Sequence, residues 1–365
     1  MSVEDIEISG LTIESLIGHG AHSTVYLARK ADGGTYAIKV ANEKNADTRE
    51  KRQLFLREAA VLAQARHHAL PAIFEAGESQ GISYLVVEYM RGETLNHAID
   101  EVGLPEEEVV RVAKDIGGAL SAIHQLGIIH RDIKPQNIIV PPYGGARLID
   151  YGLSVLAGGD ADSDLNKVVG TFQYAAPEQT GMLDRAVDGR SDLYALGVVL
   201  FEIACAQRPF KAKDIGELVR QHAVVRAPDL RSIRSDISPA LASVVNKLLA
   251  KDPDDRYQTA GGLLEDLDRL AAINTQLNQG EEIYLDSLDT RFHGNRSIVG
   301  RENEYRTLET LCDRGRRGIG ALGIVLGEPG SGKTHLVTQL LAYFASHGMP
   351  ILSARCSAAN RGNPL

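Results

Sequence analysis

The sequence predicts an α+β chain: strands concentrated in residues 11–89, mainly helices from 91 to 271, and a partial α/β segment at the C-terminus. Three observations carry this. Residues 11–42 alternate Thr, Ile, Val and Tyr with polar neighbours and are broken by glycine-bearing turns, the period-two signature of antiparallel strands. Beyond Pro105, apolar side chains recur at helical spacing, most densely in SDLYALGVVLFEIACAQRPF. Finally, ALGIVLG, a glycine-rich turn and KTHLVTQLLAYFASH read as strand, turn and helix.

A chain of 365 residues is too long for one ordinary core and implies two domains or a domain with extensions. We expect one over 11–271, a polar, weakly patterned linker over 272–296, and a second domain from 297 to 365. The 39 basic against 48 acidic side chains give a net charge of −9, which argues against nucleic acid as the main partner. Three scattered cysteines, Cys205, Cys312 and Cys356, have no metal-ligand spacing and point to a reducing compartment. Cys205, in an apolar helical run, is expected to be a buried, inert thiol. MSVEDIEISG lacks the layout of a signal peptide, and the apolar run 193–206 is interrupted by Glu202 and too short to span a bilayer. The expectation is a cytoplasmic protein without a membrane segment.

The elements follow in order. LTIESLIGHGAHSTVYLARK and GGTYAIKV predict three antiparallel strands, the first turn carrying Gly18, Gly20 and Ser23. Glycines there let backbone N–H groups approach phosphate oxygens, although a plain hairpin turn uses them equally. A dinucleotide-binding reading would need a helix next, and a strand follows instead. Lys39 lies on the third strand beside Ala37, Ile38 and Val40. It is either an exposed strand lysine or a phosphate-pairing one, which needs an acidic helix partner. Residues 48–65 supply that helix through Leu54, Val61 and Leu62, and Glu58, one turn before Leu62, is the candidate partner. Residues 73–89 predict two more strands around GESQG, then a short helix. Pro105 opens a long helix, with Glu106, Glu107 and Glu108 at its positive end. That helix delivers the chain to HRDIKPQN, residues 130–137, which places a carboxylate, a cation and an amide in one loop. IIV and ARLI bracket the turn PPYGG and end at Asp150-Tyr151-Gly152. Residues 154–174 are polar and aperiodic, GTFQYAAPEQ follows, and DPDDRYQTA contributes Arg256.

The spacing His130-Arg131-Asp132 to Asn137, joined in order by Gly18, Gly20, Lys39, Glu58, Asp150, Ala176-Pro177-Glu178 and Arg256, resembles the eukaryotic-type Ser/Thr protein kinases of bacteria over residues 11–270. The resemblance implies a two-lobed fold, with a small β-rich N-lobe (about 11–89) and a mainly helical C-lobe (about 91–271), working with ATP and Mg2+. It implies that Asp132 accepts the proton of the attacking hydroxyl and that Lys134 offers charge to the moving phosphoryl group. Asn137 and Asp150 would hold magnesium, and Lys39, paired with Glu58, would meet the α/β-phosphates. Glu88 and Met90 would bond adenine through the main chain, with Val87 behind it. Gly18, Gly20, Ser23, Val25, Ala37 and Ile139 would complete the nucleotide site.

Two departures are mild: Ser23 replaces the third glycine, and Tyr151 replaces phenylalanine. Gly170-Thr171 and Lys134 imply Ser/Thr rather than Tyr acceptors on protein substrates, autophosphorylation included. Asp192 is implied to hold the catalytic-loop backbone, and Arg256 to pair with Glu178. Arg131 is implied to meet a phosphate on the activation segment, for which Ser163 and Thr171 are the candidate regulatory hydroxyls. Thr171 serves substrate recognition in the alternative reading.

GEPGSGKT, from Gly327 through Gly332 and Lys333 to Thr334, fits the phosphate-binding Gly-x-x-x-x-Gly-Lys-Thr pattern. Backbone N–H groups would cradle phosphates, with Lys333 on the β/γ oxygens and Thr334 on magnesium. With IVGRENEYRTLETL upstream, the segment resembles the start of AAA- or STAND-type P-loop ATPase domains; a Walker-B strand is expected beyond Leu365, the alternative being that the segment is a remnant of such a domain. The reading is therefore a Ser/Thr protein kinase fused to a P-loop module. Two alternatives stay open: a pseudokinase scaffold, which loss of Lys39, Asp132 or Asp150 would signal, and an ATPase-driven switch with a subordinate kinase.

Overall fold

The computed structural model describes residues 8, 10–19, 23–41, 49–79, 82–142, 144–149, 172–183, 185–281, 283, 285–286, 301–316, 320, 322–327, 333, 336–337 and 340. The side chains of 49–54, 58, 302–303, 312–313 and 315–316 lie outside that description. The chain divides into two compact units, Met1–Ser287 and Leu288–Leu365.

The first unit opens with β1 (Leu11–His19), β2 (Ser23–Lys30), β3 (Thr35–Ala41), β4 (Ile73–Ser79) and β5 (Ile82–Glu88), antiparallel in the order β1-β2-β3-β5-β4. Register decides which side chains share a face. Val25 pairs with Lys39, Ala37 with Val87, and Lys39 with Leu85, so these five project to one side. Ala28, Ile38, Val40, Tyr84 and Val86 project to the other, where they form a small apolar cluster with Ile8 and Ile82. The helix α1 (Arg49–Leu62) packs on β4 and β5 through buried Ala59 and Leu62.

After β6 (Glu93–Thr94) and the single turn α2 (Leu95–Ala98), the chain becomes helical. The helix α3 (Glu106–Gln125) begins after Pro105, with Glu106, Glu107 and Glu108 at its positive end, and buries Val109, Val112, Ala113, Ile116, Leu120 and Ile123. It stops at Gly127, whose φ of +75° suits the left-handed close of a helix. The short strands β7 (Ile138–Val140) and β8 (Arg147–Leu148) pair beside β6. The helix α4 (Gly189–Cys205) is capped by Asp188 and buried on nearly every side, so it forms the axis of the helical lobe. The lobe is completed by α5 (Ile215–Val224), α6 (Leu230–Ile233), α7 (Pro239–Leu248) and α8 (Ala260–Asp268), capped by Asp214, Asp229, Ser238 and Thr259. One core joins α3, α4, α7 and α8 to Ala59, Leu62 and Leu85, which ties the sheet face carrying Lys39 to the helical lobe. Cys205 is buried there, and desolvation pushes its thiol up to about 11.

The segment expected as linker from residue 272 opens as helix. The helix α9 (Leu270–Asn278) packs on α7 and α8 and buries Ile273, because its few apolar side chains find a core already built.

In the second unit, α10 (Glu302–Arg316) is helical, and Leu336 and Leu340 are buried. Residues 322–327 carry no ladder among the described residues, and Leu322, Ile324 and Leu326 are exposed. A strand exists only against a partner, and the described residues supply none. No described helix is long and apolar enough to cross a membrane.

Candidate active site

The site is built on the loop between α3 and β7. Asp132 and Lys134 form a 2.7 Å ion pair, both side chains roughly one quarter exposed. Asn137 Nδ2 donates to the Asp132 backbone oxygen at 2.8 Å and to Oδ2 at 2.9 Å. Three predicted residues thus meet at one carboxylate, because the single turn Pro135–Asn137 folds the loop back on itself. Asn137 also accepts the backbone N–H of Ile149 at 2.8 Å through its carbonyl, and Leu148 donates to Ala69, so the strand leading to Asp150 is held against the loop.

Rigidity comes from α4. The Asp192 carboxylate, 1% exposed, accepts the backbone N–H groups of His130 at 2.8 Å and Arg131 at 2.7 Å. Arg131 has φ +65°, a strained conformation for a side chain with a Cβ, and the two hydrogen bonds oppose its relaxation. His124 from the end of α3 bonds the same carboxylate at 2.8 Å. The expected clamp by Asp192 is present, and His124 is a third member that sequence reasoning did not identify. His124 follows from α3 alone only once α4 is known to cross it.

The segment before α4 is fixed in two places. Glu178 receives Arg256 in a bidentate pair, 2.7 and 2.9 Å, and the hydroxyl of Ser191 at 2.7 Å, with the ion pair wholly buried. Gln179 accepts the backbone N–H of Ala176 at 2.9 Å and donates to the Arg131 carbonyl at 3.3 Å, linking the anchor to the loop. Gln179 was also missed, since a glutamine after the acidic residue has no local signature. Tyr174 donates to Glu202 at 2.6 Å; burial pushes both the phenol and the Glu202 carboxyl upward, and Arg208, 3.8 Å away, opposes the second shift.

Of the residues expected around a nucleotide, Val25, Ala37 and Lys39 share the sheet face that meets the main core. Gly18 is opposite Val25, and a Cβ there would make an ordinary 3.7 Å contact. Described packing therefore does not require a glycine at 18, whereas a closely approaching ligand would. Ser23 starts β2 opposite Ala41. Glu88 closes β5, its N–H engaged by the Ala72 carbonyl at 2.8 Å, which leaves that N–H to the sheet rather than to a ligand. Met90 and Ile139 are buried just beyond, on the crossing to α2 and on β7. The backbone of Glu58 lies within α1, and its side chain lies outside the described residues, as do Gly20, Asp150, Ser163, Thr171, Gly332 and Thr334. In the second unit, Lys333 Nζ donates to the Gly327 carbonyl at 2.6 Å.

The donor types suit magnesium. With Nδ2 of Asn137 turned to Asp132, the amide oxygen faces away from that carboxylate, and a neutral oxygen with a carboxylate is the ligand chemistry this ion accepts. No cluster of three or more His, Cys, Asp or Glu able to hold a metal occurs among the described residues.

A five-stranded lobe over a helical one, with a clamped loop carrying Asp132, Lys134 and Asn137, defines the class: the chain belongs to the protein kinase family, whose domain model matches residues 11–266. That family uses ATP. The particular relatives are bacterial. The chain is 36% identical over 265 residues to the serine/threonine-protein kinase PknB of Mycolicibacterium smegmatis, covering 70% of this chain and 42% of that protein. It is 31% identical over 278 residues to PrkC of Bacillus subtilis, covering 73% and 42%. It thus spans less than half the length of these curated relatives. The crystal structure of the Mycobacterium tuberculosis PknI kinase domain is similar at TM-score 0.57 and 25% identity, over 74% of this chain and 100% of that one. Residues 297–365 match the AAA ATPase domain model.

Proposed function

We propose that this chain transfers the γ-phosphoryl group of ATP to serine or threonine hydroxyls of protein substrates, its own included. The observation that carries the reading is the Asp132 carboxylate held at once by Lys134 and Asn137, on a loop whose backbone is fixed by Asp192. Asp132 accepts the proton of the attacking hydroxyl, and Lys134, 2.7 Å away, offers positive charge to the transferring group. Lys39 meets the α/β-phosphates with Glu58 as its acidic partner. Val25, Ala37, Met90 and Ile139 enclose the base, which Glu88 and Met90 bond through the main chain. Asn137 and Asp150 hold magnesium, which when bound neutralises the phosphate oxygens. Catalysis is then mainly positioning and electrostatics. Ser163 and Thr171 are the proposed regulatory hydroxyls. Residues 11–271 form the kinase domain, and 297–365 open a P-loop ATPase module in which Gly327, Gly332, Lys333 and Thr334 cradle phosphate.

The test is label transfer from γ-labelled ATP by the purified full chain to itself and to generic protein acceptors, with and without magnesium, beside Asp132→Asn. Acid-stable phosphoserine or phosphothreonine, present in the wild type and lost in the variant, is the expected result. Equal labelling of both proteins would reject the assignment.

A further inference from the structure

Beyond α9 the chain does not leave the helical lobe. Glu281 N–H returns to the Gln276 carbonyl at 3.0 Å, Leu285 packs against the main core, and Asp286 is 4% exposed. Asp286 Oδ2 accepts the backbone N–H of Gln258 at 2.8 Å, and its own N–H donates to the buried Asp266 carboxylate at 2.6 Å. Asp266 in turn receives the Tyr257 hydroxyl at 2.9 Å. Asp286 has φ +65°, held by this bonding at both ends of the residue. Its carboxylate lies against the first turn of α8: a Cβ added to Gly262 would overlap Oδ1 and come within 2.9 Å of Cγ.

We propose that the segment carrying Leu285 and Asp286 is a strap, latched by Asp286, that belongs to the first folding unit. Because α8 packs along α3, and α3 precedes the loop at His130, the latch at Asp286 is fastened to the helix pair supporting the catalytic loop. Gly262 is the receptor of the latch: it is glycine because Asp286 occupies the space a side chain would need.

The experiment is a double-mutant cycle in the full chain, Asp286→Ala, Gly262→Ala and both together, read as the first thermal transition. Alanine in a helix is normally the more stable choice, so an unobstructed Gly262→Ala would raise that transition. The strap predicts the opposite sign, with each single change lowering it by about 4 °C or more. The double variant melts no lower than Asp286→Ala alone, since the obstruction is gone. A rise for Gly262→Ala in the wild-type background, or additive effects, would overturn the proposal. Hydrogen exchange in the unmodified full chain provides an independent readout. The Gln258 and Asp286 amides are protected as strongly as those of α8 if the strap is closed, and exchange like an open linker if the proposal is wrong.

Discussion

The Asp192 carboxylate on α4 accepts the backbone N–H of Arg131 at 2.7 Å, and Arg131 occupies φ +65°. A buried helix and a strained loop residue are thereby locked together, and the neighbouring Asp132 inherits its direction from that lock. Replacing Asp192 with alanine orphans two inward N–H groups, each worth about 1–3 kcal/mol when left unsatisfied. We expect a loss of at least about 2 kcal/mol in urea unfolding, and a fall in phosphotransfer even where the variant is fully folded. Asp192→Asn retains one acceptor oxygen and loses less on both measures. An alanine variant that transfers phosphate at the wild-type rate would remove the clamp from the account.

The Glu178–Arg256 pair is buried at both ends, so its partners are not equivalent to a surface ion pair. Arg256→Met strands a carboxylate inside the lobe and should cost about 3–5 kcal/mol. Joint replacement by Arg256→Met and Glu178→Leu should recover a substantial part, because no unpaired charge remains. Denaturant midpoints of the two variants check this: a double variant less stable than Arg256→Met would contradict it.

Lys251 gives the lobe a pH dependence. Its ammonium donates to the His222 carbonyl at 2.8 Å and lies 4.0 Å from the Phe210 ring centroid, and burial, followed by the charge of Arg256, lowers its pKa to about 7. The unfolded chain keeps this lysine protonated up to its ordinary value of 10.5, so between pH 7 and 10.5 it binds more protons than the folded chain. Stability from this group therefore rises with pH across that window, by at most about 1.4 kcal/mol per unit. His222, lowered to about 4 by burial and by Lys251, acts with the same sign between pH 4 and 6.5. In Lys251→Met the upper slope should flatten. Parallel stability profiles for wild type and variant over pH 7–10 would refute the assignment.

Much of this arrangement was legible in the sequence because its signals are local. The alternation in TYAIKV sets β3 and puts Ala37 and Lys39 on one face, and Pro105 with three following glutamates marks the start of α3. The pairing of Arg256 with Glu178, 78 positions apart, was read only through an ordered set of motifs. What escaped lies where distant segments meet. His124 and Gln179 gain their roles only when α4 and the loop at Arg131 come alongside. The stretch after 272 is polar and weakly patterned, so periodicity could not register α9 or the latch at Asp286, both of which are created by a core formed elsewhere. The run Leu322–Gly327 is strand-like in pattern and has no neighbour to pair with among the described residues.

In the proposed reaction Asp132 acts on the hydroxyl of the acceptor and not on the nucleotide. ATP affinity and transfer rate are to be compared for Asp132→Asn, in a background carrying Lys333→Ala so that nucleotide binding proposed for residues 327–334 does not contribute. The expected result is an affinity within about threefold of the parent and a transfer rate lower by about 10²–10⁴. A variant that transfers phosphate as fast as its parent would contradict it.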